Sequence, residues 1–136
     1  MLRWFIGGFL SGLSIFIFHW FFSGIIFKKL YLDPNFSSFW RKGSGMLQFF
    51  LISIFSGLLF TLTFMLVFEG IPGTVILKGI YYGLFGWLVF LLPTYITQDI
   101  FVNFPPNIVG VWLLQSFFGY GVAGIITSLI VSPAMV

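Results

Sequence analysis

The sequence predicts an all-α integral membrane protein, one domain of four transmembrane helices packed as a four-helix bundle. Three observations predict it. Hydrophobic residues make up 60% of the 136 positions and charged residues only 7%, whereas a soluble domain carries about 25% charged residues to face water. Four uncharged apolar runs are each close to the roughly 20 residues that cross a bilayer as a helix. The few charges fall at or between the ends of those runs. Four spans and their loops use the whole length, which leaves no segment for a soluble catalytic domain.

The first span is expected over about 4–27, between Arg3 and Lys28. Its apolar core is too long for a signal peptide, and no small-x-small cleavage site follows it. Lys28 to Gly45 is the longest polar connection, with Lys28, Lys29, Arg41 and Lys42 set against Asp33 and interleaved with Tyr31, Phe36, Phe39 and Trp40. Aromatic rings beside basic groups suit the lipid headgroup layer. Asp33-Pro34-Asn35 reads as a turn, Phe36 to Trp40 as a segment in the interface plane, and Gly43-Ser44-Gly45 as a break.

The second span is expected over about 46–68, closed by Glu69-Gly70-Ile71-Pro72-Gly73, where glycine and proline turn the chain. Thr74 is placed to cap a third span over about 75–97. In it Pro93 removes the hydrogen bond to the carbonyl of Val89, with Thr94 and Thr97 near enough to help, and marks a bend or hinge. A short loop with Asp99, Asn103 and Pro105-Pro106 leads to the fourth span, about 107–131, ended by Ser132-Pro133.

Six basic residues against three acidic ones give a net charge of +3. Four of the six lie in the 28–45 loop, so the charge reads as a topology signal and no nucleic acid is expected as partner. Loops rich in Lys and Arg stay cytoplasmic. The expected location is a bacterial-type inner membrane, with loop 28–45 inside and both termini on the opposite side; Arg3 and Lys78 fall on that outer side. The chain has no cysteine, which removes disulfides, thiolate metal sites and cysteine nucleophiles.

Small residues recur at helical spacing in every span: Gly8 and Gly12, continued by Ile15, His19 and Ser23; then Ser53, Gly57 and Thr61; then Gly79, Gly83 and Gly86; and last Gly110, Gly121, Gly124 and Ser128. Such stripes let helix backbones approach closely in lipid. The polar residues inside the spans are few, and each needs a partner. At 1.5 Å per residue, His19 lies about 13 Å before Lys28 and Gln115 about 12 Å beyond Asn107. Ser53 and Ser56 sit at a similar depth, and Thr94 somewhat shallower. One polar layer of His19, Ser53 or Ser56, Thr94 and Gln115 is therefore expected from depth.

No metal site is expected. Asp33, Glu69 and Asp99 sit on different loops, so none can pair as acid and base. The one histidine has no nucleophile motif around it, and no enzyme is expected. The leading reading is a structural or accessory subunit of a larger membrane assembly, or a homo-oligomer, with the lipid bilayer and other membrane subunits or copies of itself as partners. Two alternatives stay open. One is a small transporter or channel with a polar path near His19, Thr94 and Gln115. The other is a pigment- or haem-binding subunit in which His19 ligates a tetrapyrrole metal.

The second half carries Gly86-Trp87-Leu88-Val89-Phe90, then Pro93-Thr94, Phe101 in the loop, Asn107 opening the last span and Gly121 or Gly124 late in it. In these features it resembles an uncharacterised bacterial family of small four-helix membrane proteins, a domain of unknown function. The aromatic and basic segment from Lys28 to Trp40 is similar in kind. The resemblance implies the four-span layout and no activity.

Overall fold

A computed structural model describes residues 1–34, 45–102, 104 and 106–132. The expectations for Asn35 to Ser44, Asn103, Pro105 and Pro133 lie outside the described residues. Among the described residues the chain is all helical, and its four longest helices are each long and apolar enough to cross a membrane.

The first long helix runs Leu2–Phe21 and continues through a π-type turn, Phe22–Ile26, in which the N–H of Phe27 donates to the carbonyl of Phe22 at 2.8 Å. One further helical turn, Lys28–Tyr31, follows. The second helix is Gly45–Val67 with a tighter last turn, Phe68–Gly70. Gly73 has φ +102°, a backbone that only glycine adopts without cost, and it lets the connection reverse within a few residues. Lys78 then reaches back from the next helix, its ammonium 2.8 Å from the Phe68 carbonyl and 4.0 Å from the Phe68 ring centre. It adds a second donor to a carbonyl at the helix end, which also accepts the Ile71 N–H at 3.3 Å.

The third helix starts at Val75 with Thr74 at its cap position, although the Thr74 side chain makes no cap bond. It runs Val75–Gly86, through a π-type turn Trp87–Leu91, and on as Leu92–Phe101. Its end lies beyond the expected Thr97, because nothing between Thr97 and Phe101 breaks a helix; the chain becomes extended only at Val102. The irregular turn precedes Pro93, with the N–H of Leu92 reaching five residues back to Trp87. Wider winding at this point is how a helix accommodates a missing donor. Thr94 donates to the carbonyl of Phe90 rather than to that of Val89. The fourth helix is Pro106–Val131.

In space the order is second, first, fourth, third: the first helix packs on the second and fourth, and the third packs on the fourth. All three contacts are antiparallel and use small residues. A side chain on Gly8 would meet the Leu58 backbone at 2.8 Å, one on Gly12 the Ser53 carbonyl at 2.5 Å, and one on Gly57 the backbone of Gly8 and Gly12. Gly79 and Gly83 face Gly124 and Tyr120 in the same manner. Gly119 faces Ile15, and a Cβ added there would lie 3.5 Å from the Ile15 Cα. These contacts bring backbones together where dispersion is strongest.

Two expected packing glycines act differently. A Cβ added to Gly121 would meet nothing within 4 Å, whereas one added to Gly83 would lie 3.1 Å from the Gly121 Cα. Gly86 faces the Phe60 ring rather than a backbone. That ring belongs to an aromatic wedge between the second and third helices. Phe60 and Phe64 stand 4.5 and 5.1 Å from Tyr82, and Phe60 5.5 Å from Tyr120. The Tyr82 hydroxyl donates to the Phe60 carbonyl at 2.8 Å.

Candidate functional site: the polar groups between the helices

His19 lies two residues before the first helix enters its π-type turn, and Ser23 lies within that turn. Both face Gln115 of the fourth helix, which is 1% exposed. The Gln115 amide N–H donates to Nε2 of His19 at 2.6 Å, so the imidazole carries its proton on Nδ1. Ser23 Oγ lies 2.9 Å from Gln115 Oε1 and 3.0 Å from the Tyr31 hydroxyl. Because an amide oxygen only accepts, the single Ser23 hydrogen goes to Gln115 Oε1, and the Tyr31 O–H donates to Ser23 Oγ. Tyr31 also bonds Trp112. The Phe49 ring covers His19, with centroids 4.6 Å apart.

The result is a chain of hydrogen bonds, His19 to Gln115 to Ser23 to Tyr31, running from the interior toward the end that bears Lys28. Burial pushes the Tyr31 phenol above its ordinary pKa, against the opposing effect of its bonds to Ser23 and Trp112. It is therefore a neutral donor and acceptor at physiological pH.

Of the expected layer, the structure brings His19 and Gln115 together and does not bring Ser53, Ser56 or Thr94 to them. Ser53 is buried, yet its hydroxyl donates to the Phe49 carbonyl of its own helix at 2.8 Å, and its backbone rests under Gly12. Ser56 is half-buried and takes no part in the chain of bonds. Thr94 and Pro93 are exposed on the outside of the third helix. Depth gives the level of a residue but not its rotation about the helix axis. Thr94→Val is accordingly expected to change stability by less than about 0.5 kcal/mol, as at an ordinary surface site. Unfolding of the purified variant in mild detergent checks this, and a loss above about 1 kcal/mol would return Thr94 to the interior.

A second polar cluster was not foreseen as a unit. Thr127 Oγ1 lies 2.8 Å from Ser11 Oγ and 3.0 Å from Thr61 Oγ1, and Ser11 donates to the Ala123 carbonyl at 3.1 Å. All three hydroxyl side chains are fully buried, each on a different helix. Ser11 and Thr127 carry the signal that could have found them, four residues from Ile15 and from Ala123 on the packed stripes. Ser128 likewise ties the fourth helix to the Val75 carbonyl. Trp87 donates to Ser116 Oγ at 3.0 Å.

Between the two clusters lies an apolar layer of Ile15, Gly119 and Ala123. His19 and Ser11 are eight residues apart on one helix, about 12 Å, and among the described residues no hydrogen bond between side chains crosses that layer. The expected combination of His19, Thr94 and Gln115 is not assembled, since Thr94 is outside.

The chemistry open to these groups is hydrogen bonding. No group of three or more His, Cys, Asp or Glu side chains among the described residues could hold a metal. Nε2 of His19, which could ligate a tetrapyrrole metal, is engaged by Gln115. Ser23 meets His19 only through that amide, so the pair lacks the direct serine–imidazole contact of an activated nucleophile. No buried side-chain nitrogen or oxygen among the described residues lacks a partner. Comparison of the chain with protein-family models, with curated proteins and with solved structures gives no match.

Proposed function

We propose that the chain is an integral membrane protein of four spans that works without catalysis, as a packing subunit of a larger membrane assembly or homo-oligomer. One observation carries the reading. The second and third helices each have an extended backbone contact with one neighbour, and they meet one another through the Phe60, Phe64 and Tyr82 side chains. Both keep long apolar faces bare, including Leu51, Phe55 and Leu66 on the second and Phe85, Phe90 and Ile100 on the third. Patches of this extent suit lipid and partner helices rather than water. The interior polar groups meanwhile are spent on joining the helices to one another.

In this reading the end bearing Lys28 and Lys29 faces the cytoplasm of a bacterial-type cell, following the bias of basic loops. Lys78 at the other end is accounted for by its bond to the Phe68 carbonyl.

The test is native mass spectrometry of the protein extracted from its own membrane in mild detergent, with an absorption spectrum of the same fraction. A defined mass containing other polypeptides or a fixed number of copies is expected, without a visible band. A monomer would overturn the packing role, and a visible band would replace it with a pigment-bearing one centred on His19. Orientation is checked separately. Because the chain has no cysteine, Leu32→Cys and Pro72→Cys each introduce a single thiol. Impermeant reagent added outside intact cells is expected to label the second and not the first; the reverse pattern inverts the topology.

A further inference from the structure

The third helix is held at one end and loose at the other. Over Val75–Gly86 it packs extensively on the fourth helix, with Gly79 and Gly83 buried against main chain. From Trp87 to Phe101 no residue is buried, and contact with the fourth helix is sparse. Segments with few buried contacts are those that rearrange at small cost. The boundary is the π-type turn Trp87–Leu91. Its first residue pins it: the Trp87 indole N–H lies 3.0 Å from Ser116 Oγ and 3.2 Å from the Leu113 carbonyl. Past the turn, Tyr95 meets the Trp112 ring with centres 5.9 Å apart, while Thr94 is exposed.

A π turn holds one residue more than an α turn. The segment that follows it therefore lags by one residue, about 100° of rotation. If the turn rewinds as α-helix, each place on the segment is taken by the preceding residue. Thr94 then stands where Tyr95 stood, and Tyr95 turns outward. We propose that the third helix has these two registers, the one described and a less populated α-wound one that sets Thr94 against the fourth helix. Pro93 keeps them close. Without a proline, α winding would be complete and would win; with it, α winding leaves the Val89 carbonyl without its donor. The wide turn instead pairs the Leu92 N–H with the Trp87 carbonyl, at the cost of a rarer winding. Neither register is fully bonded. The change also has a readable consequence at its far side. Trp112 is the residue that Tyr31 bonds, so the second register brings a hydroxyl of the third helix to the end of the chain His19, Gln115, Ser23 and Tyr31. In the register described an aromatic ring stands there. The segment is thus a two-position switch between the third helix and the polar chain of the first and fourth.

The test uses the full chain in its own membrane. Because it has no cysteine, three pairs are compared under mild oxidation: Tyr95→Cys, Thr94→Cys and Ile96→Cys, each with Trp112→Cys. Disulfide closure within one chain is read by gel mobility and mass. The Tyr95 pair is expected to close fastest, which also shows that the segment keeps its place without the Trp112 ring. The Thr94 pair is expected to close about tenfold more slowly, as for a minor state near the upper end of its usual population. The Ile96 pair is expected to stay open, since Ile96 faces outward in both registers. Pro93→Ala restores the missing donor at an exposed position, and is expected to speed the Thr94 pair until it matches or passes the Tyr95 pair. A Thr94 pair that closes in neither background would mean a single register and overturn the proposal. Equal closure of the Thr94 and Ile96 pairs would overturn it in favour of simple fraying. Rates unchanged by Pro93→Ala would overturn it as well, because the proline would then not set the balance.

Discussion

Gly57→Leu is expected to cause the largest loss of stability of any single substitution considered. Its side chain would have to occupy the space of the Gly8 and Gly12 backbones. A flexible side chain can move aside, but here the obstacle is main chain on two successive turns. The helices must separate, and the contacts of Gly8 with Leu58 and of Gly12 with Ser53 go with them. Overpacking of this kind costs about 3 kcal/mol. Gly124→Leu is expected to do the same between the third and fourth helices, where Gly79 and Gly83 leave no room. The control is Gly121→Leu, three residues away on the same helix, where an added Cβ meets nothing within 4 Å; its cost is expected to stay within about 0.5 kcal/mol. Unfolding in mixed micelles with rising denaturing detergent, followed by tryptophan fluorescence, ranks the three. Trp4 donates to the Leu58 carbonyl across the first contact and contributes to that signal. Equal midpoints for Gly57→Leu and Gly121→Leu would mean that the first two helices do not meet at Gly57.

That contrast also marks what the sequence could convey. The four long helices were legible from apolar length, and their joints from Gly70, Pro72, Gly73 and Pro93. The partner of each helix was not. Every span carries small residues at helical spacing, and spacing alone does not say which stripe meets which. Gly8 and Gly12 could have faced Gly124 as readily as Gly57. Gly121 and Gly86 lie on stripes as regular as the others, yet one borders open space and the other an aromatic ring. In a soluble bundle the polar face would have resolved this. Here the outside is as apolar as the inside, so hydrophobic periodicity says little about which face turns inward.

The candidate site shows the same limit in finer detail. Depth placed His19 and Gln115 at one level, and they meet there. Ser53 and Thr94 share roughly that level but stay on their own helices, for a reason that lies in the side chains. A serine or threonine hydroxyl is short enough to bond the carbonyl four residues back, as Ser53 does to Phe49 and Thr94 to Phe90. It needs no partner across the interface. A glutamine amide carries donors and an acceptor at the end of a longer stem, and the buried Gln115 finds partners for both on the first helix. In an apolar span the long polar side chain is therefore the better guide to an interhelix contact, and a hydroxyl becomes one only where helices touch closely, as at Ser11, Thr61 and Thr127.

Gln115 is also where the second large effect is expected. Gln115→Leu keeps the volume nearly constant but removes the donor to His19 and the acceptor of Ser23 together. The imidazole Nε2 then faces an apolar group, and a polar atom left unmatched in this way costs about 1–2 kcal/mol. His19→Phe leaves the Gln115 amide hydrogens unmatched and is expected to cost about the same. The two losses share one contact, so they should not add. The double substitution, with an aromatic ring against leucine and no orphaned donor, is expected to cost less than their sum by about 1 kcal/mol, within the range of up to about 1.7 kcal/mol measured for polar pairs between membrane helices. The four midpoints of this cycle, obtained by the same detergent titration, give the coupling without assigning energy to either residue alone. A coupling of that size makes the pair a fixed joint between the first and fourth helices, which fits a protein that works by packing. Strict additivity would mean that the amide and the imidazole do not meet, leaving the glycine and hydroxyl contacts to hold those helices in register.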